Sequence, residues 1–266
     1  MSQLGKFIVF SFFALVGFII ISGELNLPWL SNMLDTGRRT VEKHAPPIIK
    51  KRLLPSQKKI IADLNAAGFK MGQPVFIRIF KQEAILELWI KNGKTFALYK
   101  TYDICNFSGK LGPKLKEGDK QAPEGFYSVN AKQLNPFSRN HLAFNIAYPN
   151  AYDRSYGRTG SALMVHGGCT SIGCYAMRDA QIEEIYRIVE ATLKDETASV
   201  PVHIFPFKME HTTLSKHKNN RWYNFWQNLK QGHDLFAQSK TPPKAYVCNG
   251  RYAFTDRDDC KPIAGW

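Results

Sequence analysis

The side chains best suited to chemistry in this chain lie in one short segment, His166-Gly-Gly-Cys-Thr-Ser-Ile-Gly-Cys174. A cysteine attacks a carbonyl carbon as thiolate, so it needs a base within hydrogen-bond reach, donors for the oxyanion, and glycines that let a substrate backbone approach. The segment supplies all three. Cys174 is the candidate nucleophile and His166 its base, with the Gly173 and Cys174 amides and the Ser171 hydroxyl as oxyanion donors. Gly167 and Gly168 let the chain turn back and bring Cys174 towards His166. Three other readings stay open from these residues alone. His166, Cys169 and Cys174 could belong to a zinc site, although their spacing is irregular, no Cys-x-x-Cys pair occurs and a fourth ligand must come from elsewhere. Cys169 and Cys174 could close a small disulfide loop, which would remove the nucleophile. In the third reading His166 is a satisfied strand-end histidine near an inert, buried cysteine.

The elements that must position this segment follow from periodicity. Val75, Ile77 and Ile79 alternate with Phe76, Arg78 and Phe80, and residues 84–90 and 95–102 continue the strand pattern around a hairpin turn at Asn92-Gly93. Six breakers, Gly109, Gly112, Pro113, Gly118, Pro123 and Gly125, mark a long shaped loop before strands at 126–129 and 142–147. Residues 163–166 form a short apolar strand ending on His166. Ile182, Ile185, Tyr186, Val189 and Leu193 recur at helical spacing over 179–193, with Asp179 as the expected cap. A helix over 57–67 with Ser56 as cap, a strand over 200–207 and a Trp-rich closing helix over 219–231 complete the pattern. In that last helix Trp222, Tyr223, Phe225 and Trp226 read as packing residues in preference to a ligand platform.

The chain has 266 residues, 44% of them hydrophobic, which is enough for one main core with flanking segments. Lys6 precedes a nearly unbroken apolar run over residues 7–21, the pattern of an export signal; it is short for a spanning helix, yet the flanking Ile21-Ser22-Gly23 is a poor cleavage site. Residues 1–23 are therefore read as an export signal or membrane anchor, and 24–56, with four prolines and many basic residues, as a linker. The net charge of +14 favours anionic surroundings. Nucleic acid fits poorly among these, since the chain reads as exported and has no recognisable nucleic-acid-reading motif. Export also permits disulfides, and five cysteines leave one unpaired. One partition pairs Cys248 with Cys260, close in sequence around Asn249 and Gly250, then Cys105 with Cys169, which leaves Cys174 free.

With the preceding Leu163-Met-Val, the segment resembles the catalytic motif of the L,D-transpeptidase catalytic domain family (YkuD type), in which a His-Gly pair precedes a Ser/Thr-x-Gly-Cys element. Ser108-Gly109 is similar to the family's strand-ending Thr-Gly, and Ala122-Pro-Glu-Gly-Phe-Tyr127 to its Thr-Pro-x-Gly-x-Tyr. Gly112-Pro-Lys-Leu-Lys-Glu-Gly-Asp, Pro149-Asn-Ala-Tyr-Asp153 and Cys174-Tyr-Ala-Met177 resemble a YafK-like branch. The likeness covers about residues 74–207.

The resemblance implies a mainly β, antiparallel β-sandwich-like catalytic domain over 57–210, with a packed helix and a helical or irregular C-terminal accessory segment over 211–266. It implies a cysteine acyltransferase working through a thioacyl enzyme on peptidoglycan stem peptides, with Cys174 as nucleophile, His166 as base and the Gly167 carbonyl on the other ring nitrogen of His166. Tyr152, Arg154 and Arg178 are the implied substrate-binding residues. No metal and no organic cofactor are implied. The expected location is the periplasm or the periplasmic face of the inner membrane, with a membrane contact through the N-terminal segment if it stays uncleaved. Water in place of an amine acceptor would make the enzyme an amidase or carboxypeptidase, for example one that releases a wall-linked lipoprotein. A non-catalytic wall-binding protein is the reading from another class. Two departures matter: Ile172 stands where the family commonly has His, leaving His166 as the local base, and Ala176 stands where many members have Arg, so that Arg154, Arg158 or Arg178 would have to serve the substrate carboxylate.

Overall fold

The computed structural model describes residues 57–195 and 197–263. The reading of 1–23 and 24–56, and Ser56 as a cap, fall outside these residues.

A short helix, α1 (Gln57–Ala66), precedes strands β1 (Val75–Phe80), β2 (Ile85–Asn92) and β3 (Thr95–Asp103). The hairpin between β2 and β3 turns on Gly93 and Lys94, because Asn92 is still paired with Thr95. After β4 (Asn106–Phe107) the long loop leads to β5 (Gly125–Val129), β6 (Leu134–Asn135), β7 (Ala143–Asn145) and a one-turn helix, α2 (Ala151–Ser155). Then come β8 (Met164–His166), β9 (Tyr175–Ala176), helix α3 (Asp179–Thr192) and β10 (Val200–Phe205). The chain closes with α4 (His211–Ser215), α5 (Tyr223–Ser239) and strands β11 (Tyr246–Cys248), β12 (Arg251–Ala253) and β13 (Lys261–Pro262).

The molecule is mainly β, as expected, but its two five-stranded sheets are mixed. The first runs β3-β2-β1-β10-β5, with β1 parallel to β10; the second runs β4-β9-β8-β7-β6, with β8 parallel to β9. The first sheet is apolar on both faces, so β1 and β10 read as nearly continuous hydrophobic runs. Val75, Ile77 and Ile79 with Val200, Val202 and Ile204 face the core shared with Phe144, Val165 and Tyr175 of the second sheet and with Ile182, Ile185 and Val189 of α3. On the other face Phe80, Phe126 and Phe205 pack against Phe225, Trp226 and Leu229 of α5. The C-terminal residues thus build the second core on the back of the first sheet, and α5 runs eight residues beyond the sequence-based end at Gln231.

Candidate active site

His166 ends β8 and Cys174 immediately precedes β9. The parallel register sets His166 opposite Ala176. Side chains two apart on a strand share a face, so Cys174 and Ala176 project to the same side, and His166 and Cys174 become diagonal neighbours across the pair. Gly167 receives no side chain because there is no room for one: a Cβ would come within 2.6 Å of the Asp179 carboxylate and 2.9 Å of the Asn140 carbonyl oxygen. Gly173 holds φ at +112°, where any Cβ is strained.

The His166 ring is buried, and its Nδ1 lies 2.6 Å from the Gly167 carbonyl oxygen. A carbonyl can only accept, so Nδ1 carries the proton and Nε2 is left as the acceptor. Cys174 is the free cysteine among the described residues, since Cys105 is bridged to Cys169 and Cys248 to Cys260. The first bridge takes Cys169 out of both the zinc reading and the Cys169–Cys174 loop. Among the described residues no three His, Cys, Asp or Glu side chains are grouped to hold a metal ion. Burial pushes the Cys174 thiol up from its ordinary value, opposed by a backbone hydrogen bond at Met164 and by the Lys114 ammonium. Its Sγ lies 3.7 Å from the Ala162 carbonyl oxygen, the acceptor for the S–H.

Both amides expected to face an oxyanion are held by hydroxyls. The Gly173 N–H donates to Ser108 Oγ, and the Cys174 N–H to Ser171 Oγ at 3.0 Å; Ser171 in turn donates to the Cys174 carbonyl at 2.7 Å. Asp179 is the first helical residue of α3, not its cap, and its carboxylate accepts the Gly168 N–H at 2.9 Å. Arg178 takes the cap position, and its backbone N–H donates to Gln181 Oε1.

The remaining expected residues are not all brought together. Arg154 donates to the Pro149 carbonyl and lines a groove of about 490 Å³ with Ser161 and Ala162, beside the carbonyl that accepts the Cys174 thiol. Tyr152 is buried in the second core, stacked on Tyr252 at 4.2 Å and on Phe225 at 5.5 Å. Arg158 is buried and paired with Asp153 at 2.8 Å.

Ser108 was not among the sequence-based site residues, although the Ser-Gly pair that ends the β4 region marks its place. It starts the loop running to Glu124, and that loop is pinned from below. Lys81 Nζ, with no exposed surface, donates to the carbonyls of Lys110, Gly112 and Ala122 and to Glu124 at 2.8–3.0 Å. Glu124 also accepts the Gly112 amide at 2.7 Å and Trp226 Nε1 at 2.8 Å. A buried ammonium with four oxygen partners avoids the penalty an unpaired one would carry.

On this two-sheet frame a free thiol lies one position before the strand paired with that of a buried imidazole. The sequence pattern of the family described as L,D-transpeptidase catalytic domain (YkuD) matches residues 74–204, and the chain belongs to that family. It is 49% identical over 182 residues to YafK of Escherichia coli (strain K12), spanning 68% of this chain and 74% of the relative. Among solved structures, the helical cell shape determining protein Pgp2 of Campylobacter jejuni aligns with a TM-score of 0.41 at 18% identity, over 71% of this chain and 80% of that one. A mutant of the same protein gives 0.43 at 19%, over 65% and 62% of the two chains. Bd1075 of Bdellovibrio bacteriovorus gives 0.37 at 18%, over 73% and 94%. Among the described residues no helix is long and apolar enough to cross a membrane.

Proposed function

We propose that the protein is an exported cysteine acyltransferase that takes its acyl group from peptidoglycan stem peptides. The observation that carries the reading is that the one unbridged cysteine immediately precedes the strand paired with that of His166, whose Nδ1 is committed to the Gly167 carbonyl. Burial favours the neutral thiol, so the proton has to be taken during attack, and Nε2 of His166 is the acceptor available for it. As Cys174 Sγ bonds to the carbonyl carbon of the donor, the thiol proton moves to Nε2. The tetrahedral intermediate then collapses, the amide C–N bond breaks, and the imidazolium protonates the leaving amine. An amine or water next attacks the thioester and returns the thiol. The Ser108 and Ser171 hydroxyl oxygens hold the Gly173 and Cys174 amides in place until the substrate oxyanion replaces them as acceptor, so the donors are oriented before reaction. Arg154, in the groove beside Ala162, is placed to meet a substrate carboxylate.

Incubation with purified sacculi, with and without linked lipoprotein, followed by mass analysis of the products, tests this reading and identifies the acceptor. Cys174→Ala is expected to abolish product while sacculus binding persists, and His166→Gln to lower turnover by about 10²–10⁴-fold. Undiminished product from Cys174→Ala would remove the cysteine mechanism, and absence of product from the parent protein with sacculus binding retained would leave wall binding as the function.

A further inference from the structure

A second cavity, of about 410 Å³, opens between the loop after β4, helix α2 and helix α5, and Cys174 does not line it. Its lining includes three arginines, Arg158, Arg221 and Arg251, and no acidic side chain. Arg158 is nine-tenths buried. It gives one N–H to Asp153 at 2.8 Å and is enclosed by the rings of Tyr152, Tyr156 and Phe225, with centroids 5.1–5.4 Å away. Its Nε is buried with no hydrogen-bond partner, a defect a native protein seldom keeps without a use. Asp153 balances one guanidinium. Arg221 and Arg251 are exposed on the lining and form no ion pair among the described residues, so the cavity is net positive.

Trp222 sharpens the chemistry. The helical spacing marked it for packing, and it does pack against the second core beside the buried Phe225 and Trp226, yet it stays half-buried and lines the cavity with the Arg221 guanidinium 4.5 Å from its ring. A guanidinium lying on an aromatic face keeps its N–H edge open to a carboxylate, and the rest of the indole can take the flat face of a sugar or an amide.

We propose that this cavity binds the carboxylate-bearing sugar–peptide portion of the wall polymer, with acid groups on Arg221 and Arg251 and a sugar or amide face on Trp222. The ligand class rests on the proposed wall substrate, but binding is read without turnover, so the two proposals fail separately. The experiment uses the full chain carrying Cys174→Ala and isothermal titration calorimetry with N-acetylmuramyl-L-alanyl-D-glutamate, its neutral diamide, and phosphatidylglycerol vesicles. The diacid is expected to bind, Arg221→Ala and Arg251→Ala each to weaken it about tenfold, and the diamide to bind no better to the parent than the diacid does to the double variant. Both arginines are exposed, so the variants keep the fold, which circular dichroism checks. An unchanged diacid affinity in the double variant overturns the proposal, as does equal binding of diacid and diamide. Arginine-dependent capture of the vesicles without diacid binding would assign the site to a lipid headgroup and overturn it too.

Discussion

At the scale of single residues, the state of the Cys174 thiol follows from its surroundings. Burial raises it, so at neutral pH the thiolate is a minor species, and its share grows with pH up to the raised value. Because the other four cysteines are bridged, iodoacetamide labelling reports Cys174 alone. Its rate is expected to keep rising beyond about pH 8.5, where the same thiol in urea levels off. A plateau at lower pH in the folded protein would instead mark a preformed thiolate–imidazolium pair. Ser108 makes a separate prediction. Ser108→Ala removes the acceptor that orients the Gly173 amide before reaction, and is expected to lower kcat about tenfold to a hundredfold with little change in KM, since the amide then has to be reoriented as the oxyanion forms. Steady-state kinetics on a defined muropeptide would check it. The free thiol, the buried imidazole and the turn between them were legible in the sequence because glycine, histidine and cysteine carry their constraints locally. Ser108 was not, because its partner Gly173 is 65 residues away and nothing in local spacing announces a loop hydroxyl as a backbone acceptor.

At the scale of elements, periodicity identified faces better than partners. The alternation in β1 correctly separates Val75, Ile77 and Ile79 from Phe76 and Phe80, but the parallel neighbour of β1 is β10, more than a hundred residues later, and alternation says nothing about that. The start of α3 was misread by one residue for a related reason. An Asp near a helix start satisfies helical amides in most settings, whereas Asp179 gives its oxygen to Gly168 in the preceding turn. The loop from Ser108 to Glu124 is tied together by one carboxylate, Asp119. Burial disfavours the Asp119 carboxylate, yet the hydrogen bond from Lys114 and the amides of Leu115, Lys116 and Gln121 outweigh this and hold its carboxyl below the ordinary range. A group depressed in the folded state stabilises above its unfolded value, about 4, and that contribution fades as pH falls below it through the folded value. Amide exchange at Leu115 and Lys116 is expected to lose protection in that window. Asp119→Asn should show the weaker protection at every pH and no step.

At the scale of the whole molecule, one buried ion pair connects three layers. Lys81 leaves the end of β1, Glu124 precedes β5, and Trp226 comes from α5, so the first sheet, the loop that carries Ser108 and the C-terminal cover meet at two carboxylate oxygens. Burial pushes Lys81 down, and the Glu124 charge opposes it. Glu124→Gln leaves a buried ammonium short of its counter-charge and is expected to cost about 3–5 kcal/mol, read as a lower urea midpoint. A replacement of both partners, Lys81→Met with Glu124→Gln, is expected to be milder than the single change. This node was not legible in the sequence: a lysine after a strand and a glutamate 43 residues on look like ordinary surface charges until the fold removes both from water.

The Cys105–Cys169 bridge also bears on how the protein comes to be made. Besides Cys105, 64 residues back, Cys169 has Cys174 five residues ahead among its possible mates during folding, and chain statistics favour the near one over the far. Oxidation to the near partner would close a short ring through Cys174 and leave Cys105 unbridged. Release requires a thiol to attack that ring and hand Cys169 over to Cys105. A host rich in oxidant but poor in isomerase is therefore expected to accumulate chains in which Cys174 no longer reacts with iodoacetamide, and peptide mapping for a Cys169–Cys174 ring checks it.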